Sequence, residues 1–261
     1  MTSKLPTALV TGASSGIGAT YAERLARRGH GLVLVARDQQ RLDALAERIR
    51  RTSDVKVDVL RADLTDPAQL RAVEDRLRSD PDIGLLVNNA GAATPGGFLA
   101  EDLEPLYDLL QLNVNALTRV AGAAVQGFLK HGQKGAIINI GSVVGFAPQW
   151  LPGVYGATKA YVLALSQAMQ TELSERGIYV QAVLPAGTKT EIWERSGRSI
   201  NDNMMEVGEL VDAALLGFDR REAVTIPPLH DIGKFEAFEK ARLEMHPLLN
   251  NPKAAPRYRA Q

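Results

Sequence analysis

From its seventh residue the chain alternates short apolar runs with longer amphipathic stretches. Residues 7–10 form a strand-length apolar run that enters a glycine-rich turn, and a helix follows over about 17–28. In that helix Ile17, Tyr21 and Leu25 recur at four-residue spacing, while Glu23, Arg24, Arg27 and Arg28 take the solvent side. Gly29 and Gly31 end it, and residues 32–36 give a second apolar strand. Asp38 then caps a helix to about residue 51, with Leu42, Leu45 and Ile49 on one face. A third strand is expected at 55–60, a helix with proline in its first turn at 67–78, and a short fourth strand at 85–87. Two helices at about 102–112 and 114–130 lead to a fifth strand at 136–140. A long helix over 155–176, a sixth strand at 178–184, a helix at 206–220 and a seventh strand at 223–226 complete the pattern.

Continuous apolar strands separated by amphipathic helices predict an α/β fold: a doubly wound parallel sheet of about seven strands with helices on both faces. With no linker or charge block dividing it, the chain reads as a single domain over 1–261, its core at about 5–226. Two segments break the alternation: a polar stretch at 187–205 and an extension at 227–261. Ligands of such folds bind beyond the carboxyl ends of the strands, so the stretch after the sixth strand is a candidate substrate loop.

Composition narrows the function classes. Thirty Lys and Arg balance thirty Asp and Glu, which argues against a polyanion binder such as a nucleic-acid protein. With no cysteine there is no thiol nucleophile, no disulfide and no thiolate metal site, a composition at home in a reducing cytoplasm. His30, His131, His230 and His246 are scattered, without the spacing of a metal site. No apolar run approaches the length of a membrane span, and the first residues do not read as a signal peptide, so a soluble cytoplasmic protein is expected.

The chemistry begins at the first turn, Thr11-Gly12-Ala13-Ser14-Ser15-Gly16-Ile17-Gly18. Glycines between a strand and a helix let the backbone approach a ligand, and the helix start offers free N–H groups to a pyrophosphate. The spacing is not that of the general dinucleotide fingerprint G-x-G-x-x-G. After the second strand, where an acid would bind ribose hydroxyls, the chain has Ala36-Arg37, and an arginine there can pair with a 2′-phosphate. Tyr155 and Lys159 lie four apart on one helix face, where an ammonium favours the ionised form of the phenol and makes it a candidate acid or base. Ser142 follows the fifth strand in Asn139-Ile140-Gly141-Ser142.

With the glycine-rich turn, Asn88-Asn89-Ala90-Gly91, Asn113, Ser142 and the Tyr155/Lys159 pair in this order, the sequence resembles the short-chain dehydrogenase/reductase family over about 5–226. The resemblance implies a Rossmann-type sheet, a nicotinamide cofactor and hydride transfer between a carbonyl and an alcohol. It implies that Gly12, Gly16 and Gly18 line the pyrophosphate together with Ile17, and that Ser14 and Ser15 lie near the adenosine phosphate end. Asp63 and Leu64 would contact adenine, and Asn89, Ala90 and Gly91 would pass under the adenosine ribose. Pro185, Gly187, Thr188 and Thr190 would hold the nicotinamide carboxamide, although Ala186 stands where the family usually has glycine. The tetrad maps to Asn113, Ser142, Tyr155 and Lys159, with Ser142 on the substrate oxygen, Tyr155 as proton donor, Lys159 on the ribose and Asn113 supporting a water.

The expected activity is an oxidoreductase using NADP(H) in preference to NAD(H), on a small-molecule carbonyl or secondary alcohol. An epimerase or dehydratase on the same fold would need a larger substrate domain than the chain after the seventh strand supplies, and a non-catalytic dinucleotide sensor would not need the tetrad. Val144, Gln149, Trp150, Ile192 and Trp193 are candidate lining of an apolar substrate cleft. Ala116, Ala121, Ala123, Ala124, Ala160, Ala164 and Ala168 make the helices at 102–130 and 155–176 rich in small residues. Together with the family's common pairing of these helices across a two-fold axis, this gives an expected homodimer or homotetramer.

Overall fold

The apolar runs become seven strands: β1 (Thr7–Thr11), β2 (Leu32–Ala36), β3 (Val57–Arg61), β4 (Ile83–Asn88), β5 (Ala136–Ile140), β6 (Tyr179–Val183) and β7 (Val224–Thr225). All pair in parallel, in the order β3-β2-β1-β4-β5-β6-β7. The structure is a computed structural model and describes residues 5–93, 101–151, 153–197 and 199–258. The chain divides into two units, Met1–Pro227 and Pro228–Gln261.

In the first unit the strands alternate with α1 (Gly16–Arg27), α2 (Gln39–Thr52), α3 (Pro67–Ser79), α4 (Glu104–Leu110), α5 (Leu117–Lys130), α6 (Val154–Leu173), α7 (Glu191–Arg195) and α8 (Val207–Asp219). Strand side chains point alternately to the two faces, and both faces are buried. Ala8, Val10, Leu32, Leu34, Leu85 and Val87 pack with Tyr21, Leu25, Leu42, Leu45 and Leu210 from α1, α2 and α8. Their strand neighbours Leu9, Val33, Val35 and Leu86 pack on the other side with Leu70, Leu77, Val120, Phe128 and Met169 from α3, α5 and α6. This is the doubly wound, Rossmann-type architecture expected from the alternation.

Helix starts differ in a way that bears on the site. Asp38 caps α2 by accepting from the Arg41 amide at 3.0 Å. Asp66 caps α3 by accepting from Ala68 and Gln69 at 2.8 and 2.9 Å, with Pro67 in the first turn. Such caps contribute about 1 kcal/mol each. At α1 the capping residue Ser15 makes no side-chain bond, and the first turn carries no acid.

Several boundaries move. The third strand runs Val57–Arg61, and the fourth begins two residues earlier than expected, at Ile83. The long helix stops at Leu173, tightens into a 3₁₀ turn at Ser174–Arg176 and ends on Gly177, whose φ of 74° suits glycine. The two helices expected at 102–112 and 114–130 form one rod, because a π-helical stretch, Gln111–Ala116, joins α4 to α5. The stretch at 187–205 includes α7; its Arg198 lies outside the described residues.

One structural premise of the assembly argument fails. Ala116, Ala121, Ala123 and Ala124 are buried in their own chain's core, because α5 lies flat on the sheet. Ala164 and Ala168 are exposed on α6, as are Ala157 and Tyr161.

The second unit contains α9 (Ile232–Glu244), capped by Asp231, and α10 (His246–Leu249). Its side chains Phe238, Leu243, Leu248 and Leu249 are exposed. Among the described residues no helix is long and apolar enough to cross a membrane.

Candidate active site

Two backbone departures open the site. The chain leaves β1 through Gly12, at φ 65°, and reaches α1 through Gly16, at φ 53°. Both values lie in the left-handed region that glycine enters without penalty. A Cβ on Gly12 would stand 2.8 Å from Asn89 Nδ2, and one on Gly18 would stand 2.3 Å from the Gly12 carbonyl oxygen. Gly18 therefore sits behind the turn and allows it to close. It does not line the cleft, unlike Gly12, Ser14, Ser15, Gly16 and Ile17.

The turn is fastened to the end of β4. The Thr11 hydroxyl accepts from the amides of Asn89 and Ala90 at 2.9 and 3.0 Å. Asn89 Nδ2 donates to the carbonyls of Thr11 and Gly12 at 2.9 and 3.3 Å. Between these loops, beyond the carboxyl ends of the strands, lies a cleft of about 460 Å³.

At one end of the cleft stand Arg37, Asp63 and Leu64. The Arg37 guanidinium reaches solvent, with Nη1 3.8 Å from Asp63 Oδ2. At the other end stand Ser142, Tyr155 and Lys159. Ser142 Oγ donates to the Pro185 carbonyl at 3.2 Å. Lys159 lies one turn of α6 after Tyr155, its Nζ 5.7 Å from the phenol ring centre, and donates to the Ile140 carbonyl at 2.9 Å. Only 6% of Lys159 is exposed, and burial pushes its ammonium down to about 8. The pairing of a phenol, a hydroxyl and a cation at one cleft end can donate a proton and hold an oxygen whose charge changes.

Asn113 is buried in the π-helical stretch and does not line the cleft. Its side chain accepts from the Ala92 amide at 2.9 Å, donates to the Ala92 carbonyl at 2.9 Å and donates to Thr158 Oγ1 at 3.2 Å. The side chain thus ties the loop after Gly91 to α6. Single-residue π insertions recur at functional sites.

Pro185, Gly187, Thr188 and Thr190 all line the cleft. The segment is anchored by Met205, whose amide donates to the Gly187 carbonyl at 2.9 Å and whose carbonyl accepts from Lys189 at 3.0 Å. Trp193 Nε1 donates to the Thr188 carbonyl at 2.7 Å. Ala186 causes no backbone strain, since neither it nor Gly187 has a positive φ.

The substrate candidates divide. Val144, Ile192 and Trp193 line the cleft with Leu112 and Leu151, but Gln149 and Trp150 do not. Trp150 lies on a short 3₁₀ turn, Pro148–Trp150; the residue is 64% exposed, with its ring edge-on to Phe146. Sequence spacing cannot tell which side of such a turn faces inward. Thr11, Arg41, Glu191 and Leu112 were not singled out from sequence, although Thr11 carries the β1–β4 fastening and the others line the cleft.

These residues fit an extended dinucleotide. Backbone that no Cβ obstructs lies beside an uncapped helix start without acids, suited to a pyrophosphate, and a cation stands at the ribose end. A family model described as short chain dehydrogenase matches residues 6–201. The chain belongs to the short chain dehydrogenase family.

Within the family, the chain is 60% identical to a short-chain dehydrogenase from Sphingobium yanoikuyae in complex with NADPH, with a TM-score of 0.94 over 97% of this chain and 100% of that one. It is 51% identical to the bulky-bulky ketone specific alcohol dehydrogenase from Comamonas testosteroni, with a TM-score of 0.91 over 99% and 100% of the two chains. It is also 33% identical over 180 residues to the inactive hydroxysteroid dehydrogenase-like protein 1 of Homo sapiens, covering 68% of this chain and 54% of that protein. The chain thus spans about half the length of the curated relatives it matches first.

The buried ammonium has a consequence for stability. A lysine in the unfolded chain titrates near 10.4, so the folded chain holds this proton less tightly. The cost of burying the charge is fully present below pH 8 and fades as pH rises toward the unfolded value. Relative to the parent, ligand-free Lys159→Met should therefore be more favoured near pH 7 than near pH 9.5, by roughly 1–2 kcal/mol. Chemical denaturation of both chains at the two pH values measures the difference; a pH-independent gap would contradict it.

Proposed function

We propose that the chain is an oxidoreductase that moves a hydride between NADP(H) and a carbonyl or secondary alcohol, with Tyr155 exchanging the proton. The observation that carries this reading is the convergence of Ser142, Tyr155 and Lys159 at one end of the cleft that begins at the glycine-rich turn. When bound, the nicotinamide supplies or accepts the hydride. Ser142 Oγ, which donates to the Pro185 carbonyl, is the hydroxyl that would donate to the substrate oxygen. Tyr155 gives that oxygen its proton, and the adjacent Lys159 cation stabilises the tyrosinate left behind. Lys159 also faces the nicotinamide ribose. Asn113 acts as a positioning residue through Ala92 and Thr158.

Gly12, Ser14, Ser15, Gly16 and Ile17 hold the pyrophosphate in this reading, and Asp63 and Leu64 face the adenine. Pro185, Gly187, Thr188 and Thr190 hold the carboxamide. Preference for NADP(H) over NAD(H) is supported by Arg37 at the ribose end and by the NADPH complex of the Sphingobium relative. The substrate class we propose is a ketone with bulky apolar substituents. Val144, Leu151, Ile192 and Trp193 supply an apolar wall, and the Comamonas relative is described as specific for such ketones. A panel of large and small ketones with NADPH, followed by absorbance, tests the class. The cysteine-free composition supports placing the protein in the cytoplasm. The relative described as inactive favours a second reading, a non-catalytic dinucleotide binder, which predicts NADPH binding without turnover on any ketone.

Tyr155→Phe keeps the ring and removes the hydroxyl, so turnover should fall about 10²-fold or more while NADPH still binds. Steady-state rates and a binding titration separate the two effects, and near-full activity would overturn the mechanism. For Arg37→Asp, a lost charge-assisted phosphate contact of roughly 1.5–3 kcal/mol should move preference toward NADH. Parallel titrations with both reduced cofactors measure the ratio; tighter NADH binding by the parent chain would reverse the assignment.

The assembly proposal, a homodimer or homotetramer, rests on the exposed face of α6, where Ala157, Tyr161, Ala164 and Ala168 lie on the outside of the chain. Light scattering with size exclusion should give at least twice the chain mass. Glu at Ala164 and Ala168 should dissociate the assembly, and a monomeric parent would refute it.

A further inference from the structure

We propose that Arg41 and Glu191 form a latch across the cofactor cleft that slows the departure of a bound dinucleotide, an inference that rests on the cofactor reading above. Arg41 lies near the start of α2, beside Arg37 at the ribose end, and Glu191 opens α7 in the loop after β6. Their positions are 150 residues apart in sequence, yet Arg41 Nη1 donates to both carboxylate oxygens of Glu191, at 2.9 and 2.8 Å. Both residues line the cleft. The pair therefore joins the α2 wall to the loop that forms the opposite side.

The attachment on each side is built. Arg41 Nε lies 3.4 Å from Asp38 Oδ2, and the same carboxylate accepts from the Arg41 amide through its other oxygen. On the far side Glu191 follows Thr190, whose Cγ2 lies 3.2 Å from where a Cβ on Gly16 would stand. Thr190 thus sits directly over the pyrophosphate turn, and the ion pair continues that cover toward the ribose end. By contrast, the Lys189–Glu206 pair, at 2.6 Å, stays within the loop and spans nothing.

The chemistry suits a latch. A carboxylate at this edge repels the phosphates of a dinucleotide, and the Arg41 guanidinium offsets that charge while tethering Glu191 to α2. Arg41 and Glu191 side chains are 46% and 40% exposed, so water competes for both partners and the pair opens readily. Closed, it obstructs exit; open, it lets the cofactor exchange. An ion pair of this exposure is worth at most about a fivefold change in rate. That scale suits an enzyme that releases its cofactor at every turnover.

The test uses the full chain with Trp150→Phe, which leaves Trp193 as the sole tryptophan, two residues from Glu191. Energy transfer from Trp193 to bound NADPH or NADH reports occupancy, and a chase with excess oxidised cofactor gives the dissociation rate. Glu191→Gln and Arg41→Gln should each speed dissociation by about two- to fivefold, and the double variant should be no faster than the singles. Exchanging the charges, Arg41→Glu with Glu191→Arg, should bring NADH dissociation back toward the parent rate; NADH has no 2′-phosphate to contact either arginine. The parent rate should rise with salt, and the Glu191→Gln rate should rise less. Unchanged dissociation in Glu191→Gln overturns the latch. Slower dissociation also overturns it and makes Glu191 a competitor of the cofactor for Arg41. If the parent binds neither cofactor, the cofactor reading itself fails; if it binds and only the rates coincide, the latch alone falls.

Discussion

The site depends on a crevice that the strand order forces. In β3-β2-β1-β4-β5-β6-β7 the chain leaves β1 toward β2 on one side, while the chain beyond β4 travels to β5 on the other. The loops after these two neighbouring strands must therefore separate, and a ligand can enter between them. An open crevice at the middle of a sheet would part further without fastening. Thr11 and Asn89 provide it with four hydrogen bonds between loops about 78 positions apart in sequence, each joining a side chain to backbone. Close approach of the loops then excludes a Cβ at Gly12, and closing the turn excludes one at Gly18.

The same crevice carries two electrostatic features. Helices α2 and α3 satisfy their first amides with Asp38 and Asp66, but α1, which points at the crevice, has no such cap. Its N–H groups remain directed toward the space where an anion fits, giving up about 1 kcal/mol of capping. At the other end the buried Lys159 donates to the Ile140 carbonyl, and among the described residues no carboxylate pairs with it. Desolvation is the cause of its lowered proton affinity. Both features carry an energetic cost, an unclaimed cap and a desolvated charge, at the two ends of one cleft.

Much of this was legible in the sequence, where it depended on local periodicity. Alternating strand faces and the four-residue spacing of Leu42, Leu45 and Ile49 need only neighbours along the chain, and the sheet and its helices followed from them. At Asn113 the sequence showed only the boundary between two expected helices, 102–112 and 114–130. A π insertion shifts the buried face by one residue without ending the helix, so the same signal reads as a gap. Long-range packing was not legible. The alanines of α5 look like a surface stripe in one dimension and prove to be core, because a helix lying close on a sheet selects small residues too. Trp150 looked like cleft lining for a similar reason, since a short 3₁₀ turn has no period from which to infer its inner side.

Motif positions also conflate two kinds of residue that the coordinates separate. Gly18, Asn89 and Asn113 belong to the same pattern as Gly12, Ser142 and Tyr155. Yet Gly18 and Asn113 do not line the cleft, and the Asn89 side-chain amide is spent on backbone carbonyls. They fix the places of groups that do face it. The loop after β6 shows the same division along its length. Its Thr188 end is held by backbone bonds to Met205 and by the Trp193 indole, whereas its Glu191 end meets α2 through the half-exposed side chains of Glu191 and Arg41. Backbone pairing resists displacement and a half-exposed ion pair does not. The loop is therefore fixed by backbone bonds where it follows β6 and by exposed side chains where it approaches α2, so resistance to displacement falls along its length.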